Sequence, residues 1–481
     1  MKLLVIHQNF PGQFGHLVAS WLRRPGWDVR AIGRDTAPGM PMLADRFMRY
    51  RLHRQPRGEQ QHPYLRTMES AVLHGQAVAR VLLQLEARGW APDVILAHPG
   101  WGETLYAKDV FPDARLVHYC EWYYTAEGAD LGFDPEFPLT LDDRLRVRTW
   151  NALHTLNLTH CDAAVTPTQW QHSRHPADFR PKIRVCHEGI DTTRLGPDPQ
   201  TTVQTPGGAT LSAGDPVITY VARNLEPYRG FHVFMRALQR IQQRHPHCHA
   251  LIVGGDGVSY GKRPSDAKTW REKMLREVTL DPQRTHFLGK LPYAQYLSVL
   301  RVSAAHVYLT YPFVLSWSLL EAMACGAPIV GSDTAPVREV IRDGVNGKLV
   351  PFADAEAIAA GVIETLEARG AARAMGERAR RDASAYSLAA GLSGYDCLIG
   401  VRPAEAEPAR LEVIPQLTPT ELGLLQMLAA GRSNEEIAQL RSRSPATVRN
   451  QLSVLYQKLG VARRAEAVAK AAMIKRLGVG S

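Results

Sequence analysis

Arg223 and Arg229, six residues apart in the stretch ARNLEPYRG, are the first side chains of this 481-residue chain whose type and spacing suggest chemistry. They follow an apolar run that reads as a buried strand, which places both on a loop at a carboxyl strand end. Two guanidiniums there suit a diphosphate, because arginine presents fixed donors that match phosphate oxygens. Ordinary surface arginines are the plain alternative. Glu321 stands in YPFVLSWSLLEAMACGAPIVGSD, in the first turns of a helix, flanked by Leu319, Leu320, Ala322, Met323 and Ala324. A carboxylate in such company is costly unless it accepts hydrogen bonds, and the paired hydroxyls of a ribose would supply them. Leu315 to Trp317, with Ser316 between them, would offer helix N-terminal amides to the same phosphates. Near the start, NFPGQFGHL opens a helix with Gly12 and Gly15, where the backbone can approach a ligand closely. Tight strand-to-helix turns also need glycine for geometry alone.

These groups must be held by the elements around them. Over 1–200, six apolar runs (2–8, 28–33, 93–99, 114–120, 163–168 and 182–189) read as buried parallel strands. Amphipathic stretches such as FGHLVASWLRR separate them, with apolar residues at three- and four-residue spacing. This alternation predicts an α/β, doubly wound sheet. Residues 191–216 are rich in Thr, Pro and Gly without periodicity, and read as a linker. The pattern restarts over 201–400 with runs at 216–223, 249–257, 285–291, 304–311, 328–333 and 347–352, then a helix pair near 355–400. Two such domains in tandem bind ligand in the cleft between them, at the carboxyl ends of their strands. A proline-bearing linker at 401–416 precedes a small unit of four short helices at 417–481, with capping boxes at Thr418 and Ser433, Ser444-Pro445 as a helix start, and Gly431 and Gly460 as helix ends.

Composition narrows the class. An apolar fraction of 45% with a net charge of +10 excludes a disordered chain. No run of about 20 apolar residues is present to span a membrane, so peripheral contact is the most that is expected. MKLLVI is too short for a signal-peptide core, which predicts a cytoplasmic protein. The six cysteines are scattered singly and read as buried free thiols, with no disulfide framework and no structural zinc. No carboxylate pair suits Mg²⁺, so neither metal nor cofactor is expected. From Leu417 onward, ten Lys/Arg against four Asp/Glu leave +6, and only +4 remains for the rest. A basic module on a near-neutral body suggests an anionic partner for the module, although a solvated helical face gives the same count.

NFPGQF, EGID (188–191), the AR-x5-RG element and the SLLEAMACGAPIVGSD block with its REVI and GVNGKLV continuation resemble the family 4 retaining glycosyltransferases of GT-B fold, over about residues 1–400. The resemblance implies transfer of a sugar from a nucleotide diphosphate sugar to the hydroxyl of a glycan or small-molecule acceptor, with no bound metal. It implies that Arg223 and Arg229 hold the diphosphate and stabilise the leaving group, and that Glu321 grips the ribose as the second glutamate of E-x7-E. Phe313 stands where the first glutamate contacts the donor sugar, and Ala222 replaces the glycine of the GR pair. For the histidine that the family sets beside the sugar, His118 is the nearest match, with His98 and Glu121 as rivals at neighbouring strand ends.

The last 65 residues resemble the helix-turn-helix of LuxR-type regulators, in LTPTELGLLQMLAAGRSNEEIA and TVRNQLSVLYQKLGV. That likeness implies that Thr447, Val448, Arg449 and Gln451 meet double-stranded DNA, with Lys458 near phosphate and two copies paired on half-sites. Arg441 and Arg443 replace the usual apolar residues between the two helices, Leu440 falls one position early, and Gln451 replaces a histidine. Phe313 leaves a second reading open: a transcriptional regulator whose weakened GT-B body senses a nucleotide sugar.

Overall fold

The computed structural model describes residues 1–401, 419–459, 461, 464, 467 and 468. Seven parallel strands form the first sheet: β1 (Lys2–Ile6), β2 (Asp28–Arg34), β3 (Phe47–Tyr50), β4 (Val94–Ala97), β5 (Arg115–Tyr119), β6 (Ala163–Thr166) and β7 (Ile183–Val185), in the order β3-β2-β1-β4-β5-β6-β7. Strand alternation divides their side chains between two cores. Leu4, Ile6, Ile95 and Leu116 face one helical layer, while Leu3, Val5, Leu96 and Val117 face the other. Burial on both faces is why these strands read as continuous apolar runs. β3 is an edge strand with only Tyr50 buried, so FMRY gave no such run.

Residues 191–216 are not wholly irregular, which corrects the linker reading. A hairpin forms there from β8 (Thr202–Gln204) and β9 (Thr210–Ser212), and it buries Leu211 with Val217, Leu251 and Val299 of the second domain. The second sheet is also fully parallel: β10 (Val217–Asn224), β11 (His249–Gly255), β12 (Thr285–Gly289), β13 (Ala305–Tyr308), β14 (Ile329–Ser332) and β15 (Lys348–Val350), in the order β12-β11-β10-β13-β14-β15. Both sheets reverse winding direction beside their first strand, between β1 and β4 and between β10 and β13. Crevices at such switch points receive ligands.

Three helices, rather than a pair, close this unit: 355–367, 369–383 and 388–398. The last returns to the first domain, where Tyr395 and Leu398 enter the core that holds Trp21. Asp396 accepts from the Trp21 indole at 2.9 Å and pairs with Arg24. Cys120, Cys161, Cys248 and Cys325 are buried, but Cys186 is half-buried and Cys397 exposed, so the thiols are not uniformly interior. Among the described residues no helix is long and apolar enough to cross a membrane.

The second compact unit contains helices 419–429, 434–440 and 445–459 around Leu424, Leu425, Leu428, Ile437, Leu452 and Leu455. Ser433 and Glu436 form the expected capping box, and the Ser444 hydroxyl accepts from the Thr447 amide at 3.2 Å. The linker from 402 on, Thr418, Gly460 and most of the fourth helix lie outside the described residues.

Candidate active site

A cavity of about 990 Å³ opens between the two sheets at the carboxyl ends of their central strands. The first domain supplies His7 and Gly12 after β1, His98 and Trp101 after β4, Glu121, Trp122 and Tyr124 after β5, and Glu188 after β7. The second supplies Arg223 from the end of β10 itself, where a loop was expected, Arg229 from the turn that follows, Tyr260 after β11, and Phe313 to Trp317 after β13.

The two arginines are built differently. Arg223 is exposed and has no hydrogen bond or ion pair among the described residues, so its guanidinium is free to take a ligand. Arg229 is buried, and its Nη1 donates to the Thr310 hydroxyl at 2.8 Å and the Val314 carbonyl at 3.0 Å. Gly230 makes this seat possible with φ of 67°, since a Cβ there would lie 2.5 Å from that of Leu309. Between the arginines, the Glu226 carboxylate accepts the amides of Ser259 (2.9 Å), Tyr260 (3.2 Å) and Gly261 (2.9 Å). That grip sets the Tyr260 ring 5.5 Å from the Arg229 guanidinium.

Opposite them, His98 stacks on Trp101 at 4.4 Å, and its Nε2 lies 3.6 Å from the Glu121 carboxylate, which is 43% exposed. Burial pushes the Glu121 carboxyl up, yet hydrogen bonding with His98 and the charges of His98, Arg229 and Arg223 hold it below the usual range. It is therefore an anion at neutral pH. His7, packed edge-on against His98 and Trp101 at 5.3 Å, is kept neutral by burial, with its pKa lowered to about 3. Gly12 sits against it: at φ of 50°, an added Cβ would lie 2.5 Å from the ring.

Residues 25–195 match the glycosyl transferase family 4 group, 208–382 the glycosyl transferases group 1, and 415–471 the luxR family of bacterial regulatory proteins. The chain carries the two domains of a GT-B glycosyltransferase and a LuxR-type helix-turn-helix domain. A D-inositol 3-phosphate glycosyltransferase of Nocardia farcinica is 29% identical over 212 residues, 44% of this chain and 45% of the relative. A phosphatidyl-myo-inositol mannosyltransferase of Mycolicibacterium smegmatis is 35% identical over 156 residues, 31% of this chain and 36% of the relative. The chain thus spans less than half the length of these two curated relatives. Sucrose-phosphate synthase from Thermosynechococcus elongatus shares the fold at a TM-score of 0.61 and 18% identity, covering 83% of this chain and 98% of that one. Anabaena HepE in complex with UDP does so at 0.58 and 17%, covering 83% and 99%.

Within the glycosyltransferase unit, several expected site residues fall elsewhere than the sequence suggested. His118 is buried inside β5 and does not line the cavity, because strand alternation turns Tyr119 toward it instead. Burial lowers its pKa to about 3. Glu321 is buried behind the cavity wall. Its oxygens accept from Tyr293 (2.8 Å) and Tyr296 (2.6 Å), hydroxyls from the protein itself, and burial still pushes the carboxyl up. Gly15 opens its helix without reaching the cavity. Ser316 and Trp317 do line it, but the Ser316 amide donates to the Tyr308 hydroxyl at 2.8 Å. Phe313 packs against Trp122 (4.8 Å), Tyr260 (5.0 Å) and Tyr228 (5.7 Å), so an aromatic wall replaces the family's first glutamate.

Glu188, in the EGID stretch, is a cavity residue that no chemical pattern in the sequence singled out. This buried carboxylate lines the cavity, and its Oε1 accepts from the Trp317 indole at 2.7 Å. Its Oε2 is buried and has no hydrogen-bond partner among the described residues. Asp134, Glu136 and His232 bring ligand atoms within 4.8 Å of one another, the one grouping among the described residues that could hold a metal ion. None of them lines the cavity, and Arg236 already pairs with Glu136.

In the LuxR-type domain, Thr447 and Arg449 are exposed on helix 445–459, and Gln451 is half-buried. Val448 cannot meet DNA as expected. It is fully buried with Leu452 and Leu455, three and four residues apart on one helical face. Lys458 is paired with Glu421 at 2.8 Å. Leu440 is 64% exposed, so it does not replace the apolar residue lost at Arg441, whose Nη1 instead donates to the Thr420 carbonyl at 3.0 Å.

Proposed function

We propose that this glycosyltransferase moves a sugar from a nucleotide diphosphate sugar to an acceptor hydroxyl, with retention and without a bound metal. The observation that carries this reading is the convergence of Arg223, free of partners, and Arg229, fixed by Thr310 and Val314, on one cavity. As the glycosidic bond breaks, negative charge collects on the β-phosphate and the sugar gains oxocarbenium character. Donors already in place stabilise that charge without reorganising, which is the main task of such a site. Glu121, ionised on the opposite wall, suits the positive sugar ring. Anabaena HepE, of the same fold, is solved with UDP-glucose, which supports a nucleotide sugar as donor. Retention follows the family 4 resemblance, and the product's anomeric proton coupling by NMR tests it.

The acceptor is a glycan or small molecule. The basic helix-turn-helix binds double-stranded DNA as a dimer, with Thr447, Arg449 and Gln451 toward the bases, and the protein works in the cytoplasm. Release of UDP or GDP from a panel of sugar nucleotides, with and without mixed acceptors, tests the central activity. Phe313 favours one other reading, a sensor that binds the sugar nucleotide without breaking it, and binding without release in that panel identifies it.

A further inference from the structure

Between β5 and the helix at 141–160, the first domain sends out residues 122–140, which form no helix or strand. This segment crosses to the second domain. Trp122 and Ala129 are buried in the second domain's core, and Phe133 packs 5.4 Å from Tyr311 and 5.3 Å from Phe352. Phe137 lies 5.6 Å from His232. Two buried carboxylates accompany these rings. Asp134 accepts from the Tyr311 hydroxyl at 2.8 Å and is 2.9 Å from His232 Nε2, and Asp130 accepts from the Tyr228 hydroxyl at 3.2 Å.

Both tyrosines belong to the loops that seat Arg229. Tyr228 precedes it in the chain, and Tyr311 follows Thr310, whose hydroxyl accepts from Arg229 Nη1. The Tyr311 amide donates to the Tyr228 carbonyl at 3.0 Å, and the two rings lie 4.7 Å apart. Aromatic contacts alone would hold two domains together, and burying carboxylates is costly unless each is paired. Here both acids reach across from the first domain to the hydroxyls that flank the arginine's seat.

We propose that residues 122–140 are a strap whose Asp130 and Asp134, acting through Tyr228 and Tyr311, are positioning residues that align Arg229 with the donor diphosphate. The role rests on the diphosphate reading of Arg229. Domain closure and alignment of the leaving-group contact are then one event, because the acids come from one domain and the arginine from the other.

The test uses the full chain and calorimetric titration with UDP and GDP. Tyr228→Phe combined with Tyr311→Phe deletes only the two hydroxyls. The pair is expected to weaken the tighter nucleotide about tenfold, the loss of a hydrogen bond to a charged group. In an Arg229→Ala background the same pair is expected to cause no further loss. Arg229→Lys serves as the background if Arg229→Ala does not fold or binds too weakly to titrate, and Asp134→Asn repeats the comparison from the strap's side. Equal losses in both backgrounds mean a general structural role and overturn the proposal, as does unchanged affinity in the wild-type background. Failure of unsubstituted protein to bind UDP or GDP is a separate outcome, which removes the diphosphate reading and the strap's role with it.

Discussion

Replacing Arg223 with alanine separates catalysis from stability in a way that the other arginine does not allow. The side chain is exposed and has no partner among the described residues, so its removal should cost the fold no more than about 0.5 kcal/mol, the usual range for surface substitutions. For a unit of this size that is a change in Tm of roughly 1–2 °C at most. Loss of a preplaced donor to developing charge costs about 2.7–4 kcal/mol in the transition state, or about 10²–10³ in rate. Arg229→Ala behaves differently. It leaves the Thr310 hydroxyl and the Val314 carbonyl without their donor, at about 1–3 kcal/mol for each buried group, so turnover and melting temperature fall together. The assay is nucleotide diphosphate release from whichever UDP or GDP sugar supports it, paired with a thermal melt of each variant. An Arg223→Ala protein that melts normally and turns over within about threefold of the parent would refute the charge-neutralising role.

Four further outcomes are expected. Burial raises the Asp130 pKa from 3.8 to about 6 against the Tyr228 hydrogen bond, so the folded state favours its protonated form. Its contribution to stability, on the order of 3 kcal/mol, is present below pH 3.8 and lost as the pH rises through about 6. The stability of Asp130→Asn relative to the parent should therefore rise across that window, and parallel melting curves from pH 4 to 7 would count against the assignment. Gly230→Ala forces a side chain into positive φ and against Leu309, and urea melts should show a loss of at least 1 kcal/mol. In the helix-turn-helix, Arg449→Ala should weaken DNA retardation at low salt and leave helicity intact. Val448→Ala should destabilise the module by about 2 kcal/mol through the cavity it leaves, as circular dichroism melts can measure.

Apolar runs made all but one strand of the two parallel sheets legible, since strands covered on both faces admit few polar residues. Phe47–Tyr50 and the hairpin at 202–212 escaped because an edge strand and a Thr-rich hairpin bury one or two side chains each. Arg223 and Arg229 were readable because the strand end and turn that carry them are six residues apart in sequence. The strap was not, because Asp134 meets His232 across 98 residues and Tyr311 across 177. The sequence did contain the signals that place His118 and Val448. Strand alternation sets His118 opposite Tyr119, and the spacing of Val448, Leu452 and Leu455 marks a core stripe. A family motif had drawn both toward function where their period placed them in packing.

The proposed function requires the cavity to break a sugar–phosphate bond as well as hold the donor. It is tested most directly by incubating the full chain with UDP and GDP sugars and mixed acceptors, and following nucleotide diphosphate release beside calorimetric binding of the same donors. The expected result is multiple-turnover release with at least one donor, lost in Arg223→Ala. Tight binding of a sugar nucleotide with no release under any acceptor condition would refute transfer and leave a sensor in its place.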